Sequence, residues 1–251
     1  MLHAGLLRQD SNRPNDRGTA PNWPERFAAL ATSAKDSRLR DYYAAGAPPA
    51  TTPLNAAPLL AMDIETTGLD PVRDGIVSIG LVPMDLQRIR ASLSRQWILK
   101  PRVALGAESV TIHGITDSQV QQAPDLNDIL GELLEAMAGQ VMIVHCRDIE
   151  RQFLDQALRS RINEGIEFPV IDTMELEARL HRRQRIRLLD RLRGRRPPRV
   201  SIRLADSRRR YGLPRYRPHH APTDALASAE LLQAQVAHRF GSDVPLGELW
   251  N

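Results

Sequence analysis

This chain of 251 residues has almost no lysine: Lys35 and Lys100 are the only two among 34 basic side chains, and arginine carries the rest of the positive charge. Cysteine is scarcer, with Cys146 alone, which excludes an internal disulfide framework and a zinc site built on thiolates. Aromatic side chains make up 4% of the chain and hydrophobic ones 42%, so a normal core is available but must be mostly aliphatic. No apolar run approaches the roughly 20 residues of a membrane-spanning helix. The N-terminus also lacks the apolar stretch of a secretory signal. These absences lead to the expectation of a cytoplasmic protein with no membrane segment. The length suits one large domain, or a medium domain with an extension.

What is present in excess is arginine, in one place. Between Arg179 and Arg217 stand 16 arginines against two acids, Asp190 and Asp206, although the net charge of the whole chain is only +4. Guanidinium forks pair bidentately with phosphate, so the block fits a polyanionic partner such as nucleic acid. A solvated helical face in a protein that prefers arginine explains the same composition.

In chain order, residues 1–55 read as an N-terminal extension. The stretch up to Pro24 is polar, lacks apolar periodicity and is expected to be flexible. Pro24–Ala45 predicts one amphipathic helix carrying Phe27, Leu30 and Ala31, and residues 46–53, Gly-Ala-Pro-Pro-Ala-Thr-Thr-Pro, predict a linker. Such an extension offers a surface for a protein partner. Residues 56–240 then form the main domain, and 241–251 a tail. Leu59–Glu65, Gly75–Met84 and Ala91–Leu99 suit a three-strand antiparallel meander. A helix around Leu126–Met137, a strand at Val141–Val144 and a helix over Arg147–Arg161 follow. After a strand at Val170–Asp172, a helix from Thr173 carries the arginine block to Gly194. Helices around Leu204–Tyr211 and over Pro222–His238 complete the pattern. A meander followed by alternating helix and strand indicates an α/β fold, a mixed sheet with helices on its faces.

The chemistry concentrates where the first strand ends, in Leu-Leu-Ala-Met-Asp-Ile-Glu-Thr-Thr-Gly-Leu-Asp-Pro at 59–71. Side chains alternate across a strand, so Asp63 and Glu65 share a face. Two adjacent buried carboxylates repel each other and resist desolvation. A divalent cation removes both objections, because Mg²⁺ and Mn²⁺ prefer carboxylate oxygens. Two acids hydrated at a strand end would read the same way. Further candidates lie in His-His-Ala-Pro-Thr-Asp-Ala at 219–225, where His219 stands five residues before Asp224, and in Glu150. Carboxylates on three elements with one histidine are the set that two-metal phosphodiester hydrolysis needs.

Three motifs carry a family resemblance: Asp-Ile-Glu-Thr-Thr-Gly-Leu-Asp at 63–70, Ile-His-Gly-Ile-Thr at 112–116, and the stretch at 219–225. Together, over about residues 57–238, they resemble the DEDDh 3′→5′ exonucleases, which include the epsilon proofreading subunit, RNase T and oligoribonuclease. The resemblance implies an RNase H-like fold, two Mg²⁺ or Mn²⁺ ions, single-stranded DNA or RNA 3′ ends or short oligonucleotides as substrate, and nucleoside 5′-monophosphates as product. By position, Asp63, Glu65 and Asp224 match metal-holding acids and His219 the general base, with His220 the alternative. Thr66, Thr67 and Leu69 match residues at the terminal nucleotide, His113 and Ile115 the base pocket, and Phe153 joins the substrate-binding set. The second motif departs from the family's His-Asn-Ala pattern: His145, Phe153 and Leu154 fit, Cys146 replaces asparagine, and Glu150 stands in place of aspartate. Asp148 ranks behind Glu150, because two residues along a helix turn a side chain about 200° away. The longer Glu150 side chain leaves open a nucleic-acid or nucleotide binding module whose catalysis is weakened or lost.

Overall fold

The computed structural model describes residues 20–103, 114–182 and 200–250. Five strands form one sheet: β1 (Leu59–Thr66), β2 (Ile76–Met84), β3 (Arg95–Ile98), β4 (Val141–Val144) and β5 (Val170–Asp172). Their order is β3-β2-β1-β4-β5, with β1–β2 and β2–β3 antiparallel and β1–β4 and β4–β5 parallel. The meander and the mixed sheet of the sequence reading are therefore both present, with β4 and β5 as its parallel strands. β3 is shorter than expected, because Ala91–Leu93 wind into a 3-10 turn before it.

Nine α-helices are seen among the described residues. Two precede the sheet, α1 (Trp23–Ser33) and α2 (Ser37–Ala44). The single helix expected over Pro24–Ala45 is broken because Asp36 caps a new one, accepting the Arg38 N–H at 2.9 Å. Glu164 accepts the Lys35 and Asp36 N–H groups at the break. After β3 come α3 (Asp117–Gln121) and α4 (Leu126–Met137). Between β4 and β5 lies α5 (Arg147–Ile162), and β5 runs directly into α6 (Thr173–Arg182). The chain closes with α7 (Leu204–Arg210), α8 (Ala221–Arg239) and the short α9 (Leu246–Leu249). Residues 183–199, which hold eight of the sixteen arginines of the block, lie outside the described residues, as does the polar stretch 1–19. No helix of the described residues is long and apolar enough to cross a membrane.

Among the described residues one large, mostly aliphatic cluster forms the main core, built from Leu59, Met62, Leu81, Ile143, Phe168, Leu232 and their neighbours. Burial of β4 on every residue explains its unbroken Val-Met-Ile-Val, the pattern of a parallel strand covered on both faces. The few aromatic residues are concentrated: Trp23, Phe27, Tyr42 and Tyr43 pack together between α1 and α2, ring centroids 5.1–6.0 Å apart. The 241–251 stretch also contributes to the core through Leu246, Leu249 and Trp250.

Candidate active site

Strand alternation carries Asp63 and Glu65 to one face of β1, opposite Gly80 and Ser78 of β2. The start of α8 lies on this face. A Cβ on Gly80 would fall 2.3 Å from both the Ala221 carbonyl carbon and the Pro222 nitrogen. Only glycine lets the helix backbone come so close, and Ala225 and Ala229, both fully buried, continue the close packing. Asp224 sits in the first turn of α8, where the helix dipole favours negative charge.

His219 precedes that helix in a left-handed conformation, φ 68°, and its N–H donates to Asp224 Oδ2 at 2.7 Å. A ring nitrogen of His219 and carboxylate oxygens of Glu65 and Asp224 all lie within 4.8 Å of one another. His220 is exposed, and its Nδ1 lies 2.8 Å from Thr223 Oγ1. Glu150 comes from the first turn of α5 and is 3% exposed. Asp148, by contrast, is partly exposed beside Arg147, 3.9 Å away.

Burial and mutual repulsion set the charge state of these acids. Burial holds Asp63 well above the usual carboxylate range, with Glu65, Asp224 and Glu150 adding to the rise. Glu65 is pushed up to about 8, by burial first and then by Asp224. Burial also raises Glu150 and Asp224, the latter moderated by the His219 N–H. Among the described residues no lysine or arginine pairs with Asp63, Glu65 or Glu150. Glu150 Oε2 is buried with no hydrogen-bond partner there. Burying such a group uncompensated costs about 1–3 kcal/mol, more when charged. Oxygen donors plus one imidazole, desolvated and, among the described residues, with no lysine or arginine paired to Asp63, Glu65 or Glu150, fit a hard divalent cation.

The turn after β1 is rigid. The Thr67 N–H donates to Gly75 O at 2.9 Å, the Gly75 N–H to Thr67 Oγ1 at 3.0 Å, and the Thr67 hydroxyl to Asp74 Oδ1 at 3.1 Å. Thr66, whose hydroxyl donates to Gly68 O at 2.6 Å, Thr67 and Leu69 are partly exposed on this turn beside the acids. Ile115 is buried in a small cluster with Val77 and Val120. Phe153 lies in the main core. His113 lies outside the described residues.

Two positioning residues were not foreseen. Gly80 could have been found as a glycine inside a strand, which marks a close backbone approach. Asp172, 6% exposed, ends β5 and accepts N–H groups from Cys146, Arg147, Met174 and Glu175. One carboxylate thus caps α5, which carries Glu150, and α6. An aspartate between a strand and a helix is a readable cap for the helix that follows; its hold on α5, 26 residues away from Cys146, is not. Cys146 itself takes a left-handed conformation, φ 110°, and its thiol is raised by burial and the nearby acids.

Residues 60–232 match the model of the RNase T-type exonuclease family. The chain belongs to the DEDDh 3′–5′ exonuclease family. Among its relatives is the PolC-type DNA polymerase III of Caldanaerobacter subterraneus subsp. tengcongensis, 28% identical over 122 residues. That match covers 49% of this chain and 8% of the polymerase, so the chain spans less than a tenth of such relatives. The DNA polymerase III epsilon subunit of Treponema pallidum is 26% identical over 182 residues, 71% of this chain and 76% of that one. Among solved DEDDh nucleases, the nuclease domain of 3′hExo bound to rAMP is 16% identical with a TM-score of 0.59, covering 74% of this chain and 94% of that one. Exonuclease X in complex with 5′ overhanging duplex DNA is 19% identical with a TM-score of 0.56, covering 76% and 98%. At such identities the likeness establishes the RNase H-like fold. The DEDDh domain is a nuclease domain.

Proposed function

We propose that this nuclease is a 3′→5′ exonuclease that cleaves the last phosphodiester of single-stranded DNA or RNA, or of short oligonucleotides, and releases nucleoside 5′-monophosphates. The approach of Glu65, His219 and Asp224 ligand atoms to within 4.8 Å carries the reading. Asp63, Glu65, Asp224 and Glu150 would hold two Mg²⁺ or Mn²⁺ ions, which when bound lower the pKa of an attacking water and stabilise the leaving oxyanion. His219 takes the proton of that water on a ring nitrogen, as a general base. Asp224 also fixes the His219 backbone through the 2.7 Å bond to its N–H, which orients the ring. The Thr66–Leu69 turn, braced by Asp74, borders the terminal nucleotide.

A 5′-labelled single strand incubated with Mn²⁺ or Mg²⁺ should shorten one nucleotide at a time, with matched DNA and RNA arms reporting sugar preference. Asp63→Ala and Asp224→Ala should each slow this by on the order of 10³-fold or more. Full turnover in both variants would sink the assignment.

Glu150, standing where the family has aspartate and one methylene longer, favours a second reading, a nucleic-acid or nucleotide binding module with weakened or lost catalysis. It expects nucleic-acid and metal binding without turnover. Under it Glu150→Asp should raise kcat sharply, whereas an adapted site should gain nothing from the shorter side chain.

A further inference from the structure

The loop between α7 and α8 is nailed down at one point and presents two charges on either side of it. Arg208, buried, donates to Ala227 O at 2.6 Å, to Pro214 O at 3.0 Å and to Glu230 Oε2 at 2.6 Å. Its guanidinium lies 4.6 Å from the centre of the Tyr216 ring, and the Tyr216 hydroxyl donates to Glu230 Oε1 at 2.8 Å. Tyr216 is therefore held against α8. Its neighbours Arg215 and Arg217 are both exposed. Among the described residues neither has a hydrogen-bond or ion-pair partner. Arginines close by in the fold are matched with acids, Arg208 with Glu230 and Arg210 with Glu177. Arg217 stands two residues before His219, and Arg215 four.

A flexible surface arginine is an unremarkable cation; these two are set on a loop whose middle residue cannot move freely. We propose that Arg215 and Arg217 bind backbone phosphates of the single strand whose 3′ end lies at His219. The proposal rests on the exonuclease reading and extends it to how the strand is gripped. Arginine supplies the planar fork that pairs with phosphate oxygens. Phosphate contacts hold a strand in register without reading its bases.

Each phosphate contact to a single strand contributes about 0.7 to the slope of log Kd against log salt. Anisotropy of a labelled single-stranded oligonucleotide, measured with Ca²⁺ on the full chain, reads that slope. Arg215→Gln with Arg217→Gln should lower it by about 1.4, so that between 50 and 200 mM salt the wild-type Kd rises about 7-fold more than the variant's. Arg215→Lys with Arg217→Lys should restore most of the slope. A glutamine variant that keeps the wild-type slope overturns the proposal. A p-nitrophenyl ester of thymidine 5′-monophosphate, which offers no neighbouring phosphate, tests the wild-type centre separately. If the wild type cleaves it and the variant slope is unchanged, only the loop assignment falls. If the wild type neither cleaves the ester nor binds the oligonucleotide, the exonuclease reading falls as well.

Discussion

Glu65 is one of four raised acids through which the site answers to pH. Its carboxyl is raised from 4.5 to about 8, so across that window the folded chain keeps a proton that the unfolded chain has lost. The folded state then binds more protons, and this group makes stability fall as pH rises from about 4.5 to 8. A neutral Glu65→Gln side chain escapes the penalty. In metal-free buffer its thermal midpoint should gain on the wild type as pH rises from 5 to 8. A difference that is flat or reversed over that range would show Glu65 already ionised. A divalent cation acts in the opposite sense, because it needs the carboxylate. Mn²⁺ binding at pH 7 should release protons and tighten with pH, which calorimetry in buffers of different ionisation enthalpy measures. The acids were legible in the sequence because each stands in a local pattern: Asp63 and Glu65 alternate along one strand, and His219 and Asp224 flank the start of one helix. Asp172 was not, because its partners Cys146 and Arg147 reach it only across the parallel pairing of β4 with β5.

The placing of α8 on the sheet depends on an absence at Gly80. Its missing side chain leaves room for the Ala221–Pro222 backbone, and from there Asp224 and His219 reach Glu65. Strand propensity predicts that Gly80→Val stabilises β2. The packing predicts the reverse, because even the first added carbon lies 2.3 Å from backbone atoms, and backbone cannot swing aside like a side chain. A displacement of about 1 Å is enough to cost roughly 10²-fold in rate. Gly80→Ala should therefore lower kcat by about that factor and weaken Mn²⁺ binding, with Gly80→Val worse. Wild-type kcat and metal affinity in Gly80→Val would show that α8 is positioned otherwise. Elements were readable where one contact type decides them, as in the apolar run of β4. The break between α1 and α2 was read through although Asp36 caps α2 locally, because the Glu164 carboxylate that also secures it lies 128 residues along the chain.

At the scale of the whole molecule, the open question is whether residues 20–45 ride on the nuclease domain or belong to its cooperative unit. Polar contacts tie them on: Arg26 pairs with Glu167 through two nitrogens, the nearer-to-ideal bond at 2.8 Å, the Tyr43 hydroxyl accepts the Glu167 N–H at 3.0 Å, and Arg38 donates to Asn127. Arg26 and Glu167 are about half exposed, and pairs of that kind contribute only about 0–1 kcal/mol. Apolar burial is the larger effect. Phe27 is 1% exposed, packs on Trp23, Tyr42 and Tyr43, and shares the cluster that holds β1, β4 and α8. Truncating such a ring costs about 3–5 kcal/mol through lost burial and the cavity left behind. If the helices and the sheet unfold together, Phe27→Ala should lower one shared midpoint by about 6–20 °C, at 2–4 °C per kcal/mol for a chain of this size. Trp23 lies in α1 and Trp97 in β3, so tryptophan fluorescence and far-ultraviolet circular dichroism sample both parts. The two signals should move together in a single transition, in the wild type and in the variant. A transition that splits, or a main midpoint that stays within a degree or two, would make the two helices a separable attachment.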